Sequence, residues 1–192
     1  GDERAVPPEH PDSNFGMARA ALLSRVPIPA NQVHRMQVER ADLDAAASEY
    51  EAEIAKVFEI RPTDEPPMFD LILLGLGPDG HTASLFPGAK LLRETSRWVS
   101  TPAKDAAGTR RMTLTLPVIE AAHRVLFLVT GPRKAAMLRV VLCGSPDREL
   151  PAQMAQPRNG ERIFLVDEAA ASLLPAAAPA AAEPPQDSKN SA

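Results

Sequence analysis

A histidine set in a glycine-rich turn is the residue in this chain best suited to chemistry. The turn reads Gly75-Leu76-Gly77-Pro78-Asp79-Gly80-His81-Thr82-Ala83-Ser84. Histidine exchanges a proton near neutral pH, so His81 fits a base that takes a proton from water and later returns it. Asp79 admits two readings. Asp-Gly is a common turn pair whose carboxylate braces backbone N–H groups, and Asp79 is also placed to orient His81; the turn role is the expected one. Thr82 and Ser84 either bond the loop or touch a substrate. Gly77 and Gly80 are expected to let backbone amides approach an anion. A second cluster is Gly1-Asp2-Glu3-Arg4. Arg4 can fork onto a phosphate, Asp2 can reach a hydroxyl or a water, and Glu3 is expected in a structural ion pair. A third group is Gly131-Pro132-Arg133-Lys134, which puts Lys134 at a helix start where anions are favoured. Arg111 precedes a strand and reads as a further anion contact, with Arg110 beside it as a competitor. Each has a plain alternative: a loop hydrogen bond for His81, and solvated surface charge for Asp2, Arg4 and Lys134.

These residues need elements to hold them. Leu71–Leu74 is a short continuous apolar run, the pattern of a strand buried on both faces. The glycines at 75, 77 and 80 end it and permit backbone angles that side chains forbid. A loop beyond the carboxyl end of a buried strand is where an open α/β sheet places its ligand. Upstream, Asp12 or Ser13 is expected to cap a helix that Pro27 and Pro29 end, and Val33–Val38 reads as a short strand. Asp42 is expected to cap a long helix to about Phe58, with Leu43, Ala46, Ala47, Tyr50, Ile54 and Val57 as its apolar stripe. Downstream, strands are expected at Trp98–Thr101, Met112–Leu116 (half-exposed, alternating with threonine), Val125–Val129 and Arg162–Val166. Helices are expected at Pro117–Ala122, from Gly131-Pro132 to about Leu142, and at Glu168–Leu174. Alternating strands and helices imply an α/β fold: a mainly parallel sheet with helices on both faces. The domain is read as residues 1–174. Residues 175–192, rich in proline and alanine, read as a disordered tail.

Several of these segments also resemble a known family. LGLGPDGHTASLFPG resembles the signature loop of the 6-phosphogluconolactonases. Gly1-Asp2-Glu3-Arg4 with Val6-Pro7, His10 and Ser13-Asn14 is similar to that family's GDER-x-VP…H…SN segment. Arg111-Met112-Thr113-Leu114-Thr115-Leu116-Pro117 resembles its RxTLT(L)P strand, and Gly131-Pro132-Arg133-Lys134 its GxxK turn. The resemblance implies a Rossmann-like fold of the NagB/RpiA type. It implies hydrolysis of 6-phospho-D-glucono-1,5-lactone to 6-phospho-D-gluconate in the pentose phosphate pathway. It assigns His81 as the general base, Asp2 as support for the reaction centre, and Arg4 and Lys134 to the substrate phosphate, with Arg111 beside them; the Gly80 amide joins them from its place in the turn. Members of that family carry further chain ahead of the GDER segment, including a strand and a Gly/Ser/Thr-rich phosphate loop, so the fold is expected here as an N-terminally truncated one of reduced stability.

The readings kept beside it are a glucosamine-6-phosphate deaminase or isomerase, and a non-catalytic sugar-phosphate-binding relative. Deaminases share a DGH-type loop but continue in a way that resembles HIAFNEP. This chain continues His81-Thr82-Ala83-Ser84-Leu85-Phe86-Pro87 and lacks the Glu–Pro step.

Composition narrows the rest. The chain has 192 residues, 44% of them hydrophobic, and a net charge of −4 with signs interspersed. That argues against nucleic acid as the main partner, and the small-molecule partner, a phosphorylated sugar lactone, is what the resemblance implies. A single cysteine, Cys143, cannot pair within the chain and points to a reducing, cytoplasmic setting. No apolar run approaches the roughly 20 residues of a membrane span. Four scattered histidines and one cysteine do not form a metal-ligand pattern, and GLGPDG has the wrong spacing for a dinucleotide fingerprint, so no cofactor or metal is expected. The expected state is a monomer, with fusion to or association with a pathway enzyme as the alternative.

Overall fold

The computed structural model describes residues 1–102, 108–145 and 149–175, so the expected tail lies almost entirely outside the described residues. Among the described residues six strands form two three-stranded sheets: β1 (Asp2–Arg4), β2 (Ile72–Gly75), β3 (Val99–Ser100), β4 (Arg111–Leu114), β5 (Arg124–Val129) and β6 (Glu161–Val166). Strands β2, β5 and β6 are parallel in the order β2-β5-β6, with Leu74 opposite Phe127 and Phe127 opposite Phe164. Strands β1, β4 and β3 are antiparallel in the order β1-β4-β3, with Asp2 opposite Thr113 and Val99 opposite Leu114. The expected parallel sheet is therefore real but accompanied by a second, antiparallel one.

The long helix α2 runs from Leu43 to Phe58, and the Asp42 side chain accepts from Ala45 N–H as its cap. Its inward face holds Leu43, Ala46, Ala47, Ile54 and Ala55, while Val57 of the expected stripe is exposed. One polar residue sits on that face. Glu51 Oε1 accepts from Trp98 N–H at 2.7 Å, Val99 N–H at 2.9 Å and Arg97 Nε at 3.0 Å. A buried carboxylate is tolerated when its lone pairs are met, and here it fastens α2 to β3.

Helix α1 (Asn14–Ala18) starts at the Ser13 cap and continues as one π-helical turn over Arg19–Leu23. The segment expected as a strand at 33–38 is not one. It is fastened to α2 instead, by Tyr50 Oη donating to His34 O and by the His34–Glu53 pair at 2.6 Å. The remaining helices are α3 (Leu116–Ala121), α4 (Ala135–Cys143), α5 (Pro151–Met154) and α6 (Glu168–Ala171). Helix α5 had no expectation attached, and α6 stops short of Leu174. No helix among the described residues is long and apolar enough to cross a membrane.

The core gathers Ile72, Leu74, Val125, Phe127 and Val129 from one face of the parallel sheet with Val118, Ile119, Leu138, Val141 and Ala152 from α3, α4 and α5. Phe127 and Phe164 stack with centroids 4.5 Å apart. The opposite face is only partly covered among the described residues, where Phe15 and Met17 of α1 and Tyr50 of α2 line a groove with Leu73 and Leu128. Leu73, Leu128, Ile163 and Leu165 are 46%, 47%, 41% and 59% exposed there. This corrects one expectation, a central strand buried on both faces. An apolar run shows that a strand has two apolar faces; it does not supply a layer for each.

Candidate active site

Strand β2 ends at Gly75, and the loop that follows is closed almost entirely by its own hydrogen bonds. Thr82 Oγ1 donates to Gly75 O at 2.8 Å, Gly77 N–H to His81 O at 2.8 Å, and Gly80 N–H to Gly77 O at 3.2 Å. Gly80 has φ +87°, a conformation side chains avoid, and its carbonyl accepts from Ala152 N–H at 3.0 Å. The amides of Gly77 and Gly80, expected to face an anion, are thus both engaged inside the turn. Of the three glycines at 75, 77 and 80, only Gly80 is left-handed.

Within this frame Asp79 both braces the turn and contacts the His81 ring. Its Oδ1 accepts from His81 N–H at 3.2 Å and meets His81 Nδ1 at 2.6 Å. The turn role was the expected one, and the structure adds the orienting contact. Partial burial opposes ionisation of Asp79, but the His81 backbone N–H and ring outweigh it, and the carboxyl sits below the ordinary aspartate range. With a proton on Nδ1 facing Asp79, Nε2 carries the lone pair. The His81 side chain is 28% exposed, so solvent and a small substrate can reach it. Phe86 lies against it with ring centroids 4.7 Å apart.

The second cluster meets the loop from the antiparallel sheet. Ser84, fully buried, donates from Oγ to Asp2 Oδ2 at 2.6 Å, and its N–H donates to Thr113 Oγ1 at 3.2 Å. Asp2 Oδ2 also faces Arg111 Nη1 at 3.5 Å, and Asp2 Oδ1 accepts from Asn14 Nδ2 at 3.2 Å. Asp2 thereby touches the loop of His81 through Ser84. Arg4 Nη1 donates to Asp12 O at 2.7 Å and to Asn14 Oδ1 at 2.9 Å, bracing the entry to α1. Glu3, expected in an ion pair, is a buried acceptor instead. It takes Arg4 N–H, Ser13 Oγ–H, Asn14 N–H and Phe15 N–H, all at 3.0 Å or less. The first-turn amides of α1 are the donors that an anion best satisfies.

Lys134 reaches the same loop from the turn ahead of α4. Its Nζ donates to Leu76 O at 2.8 Å, one residue beyond β2. The structure therefore collects His81, Asp79, Gly80, Ser84 and Lys134 around one loop, with Asp2 and Arg111 joined to it through Ser84, and Arg4 on the adjoining strand. Ser84, Thr113 and Phe86 had no definite role in the sequence. Thr113 lies on the strand expected to be half-exposed, yet Met112, Thr113 and Thr115 are all fully buried. Threonine in a strand reads as surface until its hydroxyl finds a partner, and here the partner is a loop 29 residues away.

Residues 1–164 match the model of the family described as glucosamine-6-phosphate isomerases/6-phosphogluconolactonase. The 6-phosphogluconolactonase of Homo sapiens is 44% identical over 175 residues, which are 90% of this chain and 66% of that protein. The chain thus spans just under two thirds of that relative's length. The 6-phosphogluconolactonase of the cyanobacterium Synechocystis is 44% identical over 175 residues, 91% of this chain and 71% of that protein. Among solved structures, 6-phosphogluconolactonase from Trypanosoma cruzi superposes with a TM-score of 0.76 at 33% identity, covering 91% of this chain and 71% of that one. With the signature loop, the GDER strand and the Lys134 turn arranged as above, this chain belongs to the 6-phosphogluconolactonase family, within the wider group of glucosamine-6-phosphate isomerases and 6-phosphogluconolactonases.

Proposed function

We propose that the protein hydrolyses 6-phospho-D-glucono-1,5-lactone to 6-phospho-D-gluconate. The observation that carries this reading is the Asp79–His81 pair, 2.6 Å apart, at the carboxyl end of a parallel strand in a chain of this family. His81 Nε2 takes a proton from water as the oxygen attacks the lactone carbonyl. The tetrahedral adduct collapses by breaking the bond between the carbonyl carbon and the ring oxygen. The proton held on His81 passes to that oxygen, which leaves as the 5-hydroxyl. One water is consumed, and the imidazole returns to its starting state. Asp79 keeps the ring in the tautomer that does this and stabilises the imidazolium in between.

In this reading Lys134 holds the phosphate with N–H bonds other than the one donated to Leu76 O. Arg4 and Arg111 extend the positive side of the cleft, and the Gly80 turn fixes where the phosphate meets the loop. Holding the phosphate fixes the ring over His81, which is where a positioned reactant gains most. Asp2 supports the reaction centre through Ser84. A monomer in the cytoplasm, in the pentose phosphate pathway, fits a substrate small enough to diffuse between enzymes.

The test is a two-substrate assay of the chain. Freshly generated 6-phosphogluconolactone and glucosamine 6-phosphate are each followed by NMR against the uncatalysed background. Acceleration of lactone opening with no release of ammonia is expected. Ammonia release alone would move the protein to the deaminase branch. Tight binding of 6-phosphogluconate without turnover would make it a non-catalytic relative.

A further inference from the structure

We infer that Gly77 is a positioning residue, the seat on which the His81 imidazole rests. The inference uses the lactonase reading for its kinetic arm only. A Cβ placed at residue 77 would lie 2.2 Å from His81 Nδ1, 2.3 Å from Cε1 and 2.5 Å from Cγ, whereas real Cβ atoms keep at least 3.0 Å from such neighbours. Three consecutive ring atoms at nearly equal distance put that position against the flat of the imidazole rather than its edge. Phe86 also packs on the ring, at 4.7 Å between centroids, and Asp79 holds Nδ1. Backbone conformation does not call for glycine here, because Gly77 is not in the left-handed region. Gly75, two residues earlier, has nothing within 4 Å of its Cβ position. The missing side chain at 77 therefore serves the imidazole specifically. A methyl group at that distance overlaps the ring, which must then shift from its place against Asp79.

The experiment is a melting cycle on four proteins: wild type, Gly77→Ala, His81→Ala and the double variant. If the seat exists, Gly77→Ala lowers Tm by about 2–6 °C when His81 is present and by less than about 1 °C when residue 81 is alanine. A Gly77→Ala protein that fails to fold while the double variant folds gives the same answer. Equal loss in both backgrounds, or no loss in either, overturns the inference. On the folded single variant, ¹⁵N NMR of the His81 ring is expected to lose the Nδ1–H signature, and kcat for the lactone to fall roughly 100-fold with little change in KM. Retention of both the ring signature and wild-type kcat overturns it as well. Absence of lactone turnover by the wild type counts against the lactonase reading and leaves the melting cycle intact.

Discussion

The two sheets of this molecule treat their residues in opposite ways. The parallel sheet β2-β5-β6 supplies the strand from which the His81 loop springs, yet it leaves Leu73, Leu128, Ile163 and Leu165 exposed on one face. An open groove of about 600 Å³ runs beside it from Asp2 and Asn14 past Gly75 to Leu73 and Leu128, and His81 is not among its lining residues. The antiparallel sheet β1-β4-β3 is short and rich in polar residues, yet it buries Glu3, Thr113 and Val99. The loop is anchored to this second sheet by two hydrogen bonds from Ser84, one to Asp2 and one to Thr113. The strand that launches the loop and the sheet that holds it in place are therefore different. Loss of the polar anchors should damage the site more than changes on the bare apolar face.

That contrast can be broken in order of expected effect. Ser84→Ala removes the side-chain anchor, keeps the backbone bond to Thr113, and leaves Asp2 Oδ2 without its closest donor. Chemical denaturation is expected to show a loss of about 2 kcal/mol, since a partly buried acceptor loses its partner. A loss within experimental error would mean that the Ser84–Asp2 bond does not hold the loop.

A smaller effect is expected at Glu94, ahead of β3. Its Oε1 accepts from the N–H groups of Thr95, Ser96 and Arg97, and the Arg97 and Ser96 bonds hold the carboxyl down at about 2. A carboxyl whose pKa is depressed by folding stabilises the protein above its unfolded value, and this contribution disappears as pH falls through the folded value. Glu94→Gln should therefore cost about 1 kcal/mol at pH 7, solvent screening having reduced the full linkage value. The gap to wild type should close on acidification from the ordinary glutamate range towards about 2. A gap that stays constant with pH would show that the charge contributes nothing.

The smallest effect belongs to the bare face. Leu165→Ser, at 59% exposure, should change stability by less than about 0.5 kcal/mol and raise the concentration at which the protein stays monodisperse. A large loss of stability would mean that the face is covered in solution.

How much of this was readable beforehand follows the range of the interactions. Helix α2 carried its own signals, an Asp42 cap and a 3.6-residue stripe, and both ends stand where those signals put them. Strands β5 and β6 were visible as apolar runs. The His81 loop was visible because glycine, aspartate and histidine crowd into it. The contacts that tie the loop down were not, because Ser84–Asp2 spans 82 residues and Ser84–Thr113 spans 29. Strand β1 is three polar residues whose register against β4 exists only through pairing, so no local pattern announces it. The Asp79–His81 contact is local, but it depends on the rotamer that the turn imposes, which residue spacing alone leaves open.

The measurement that bears most directly on the account is the rate of 6-phosphogluconolactone opening by wild type and His81→Ala, followed by NMR at one pH with freshly made substrate. With His81 as the base, the variant should lose roughly 100- to 10,000-fold of the catalysed rate while still binding 6-phosphogluconate. Near-wild-type turnover in a folded His81→Ala protein would take His81 out of the mechanism and the Asp79 pair with it.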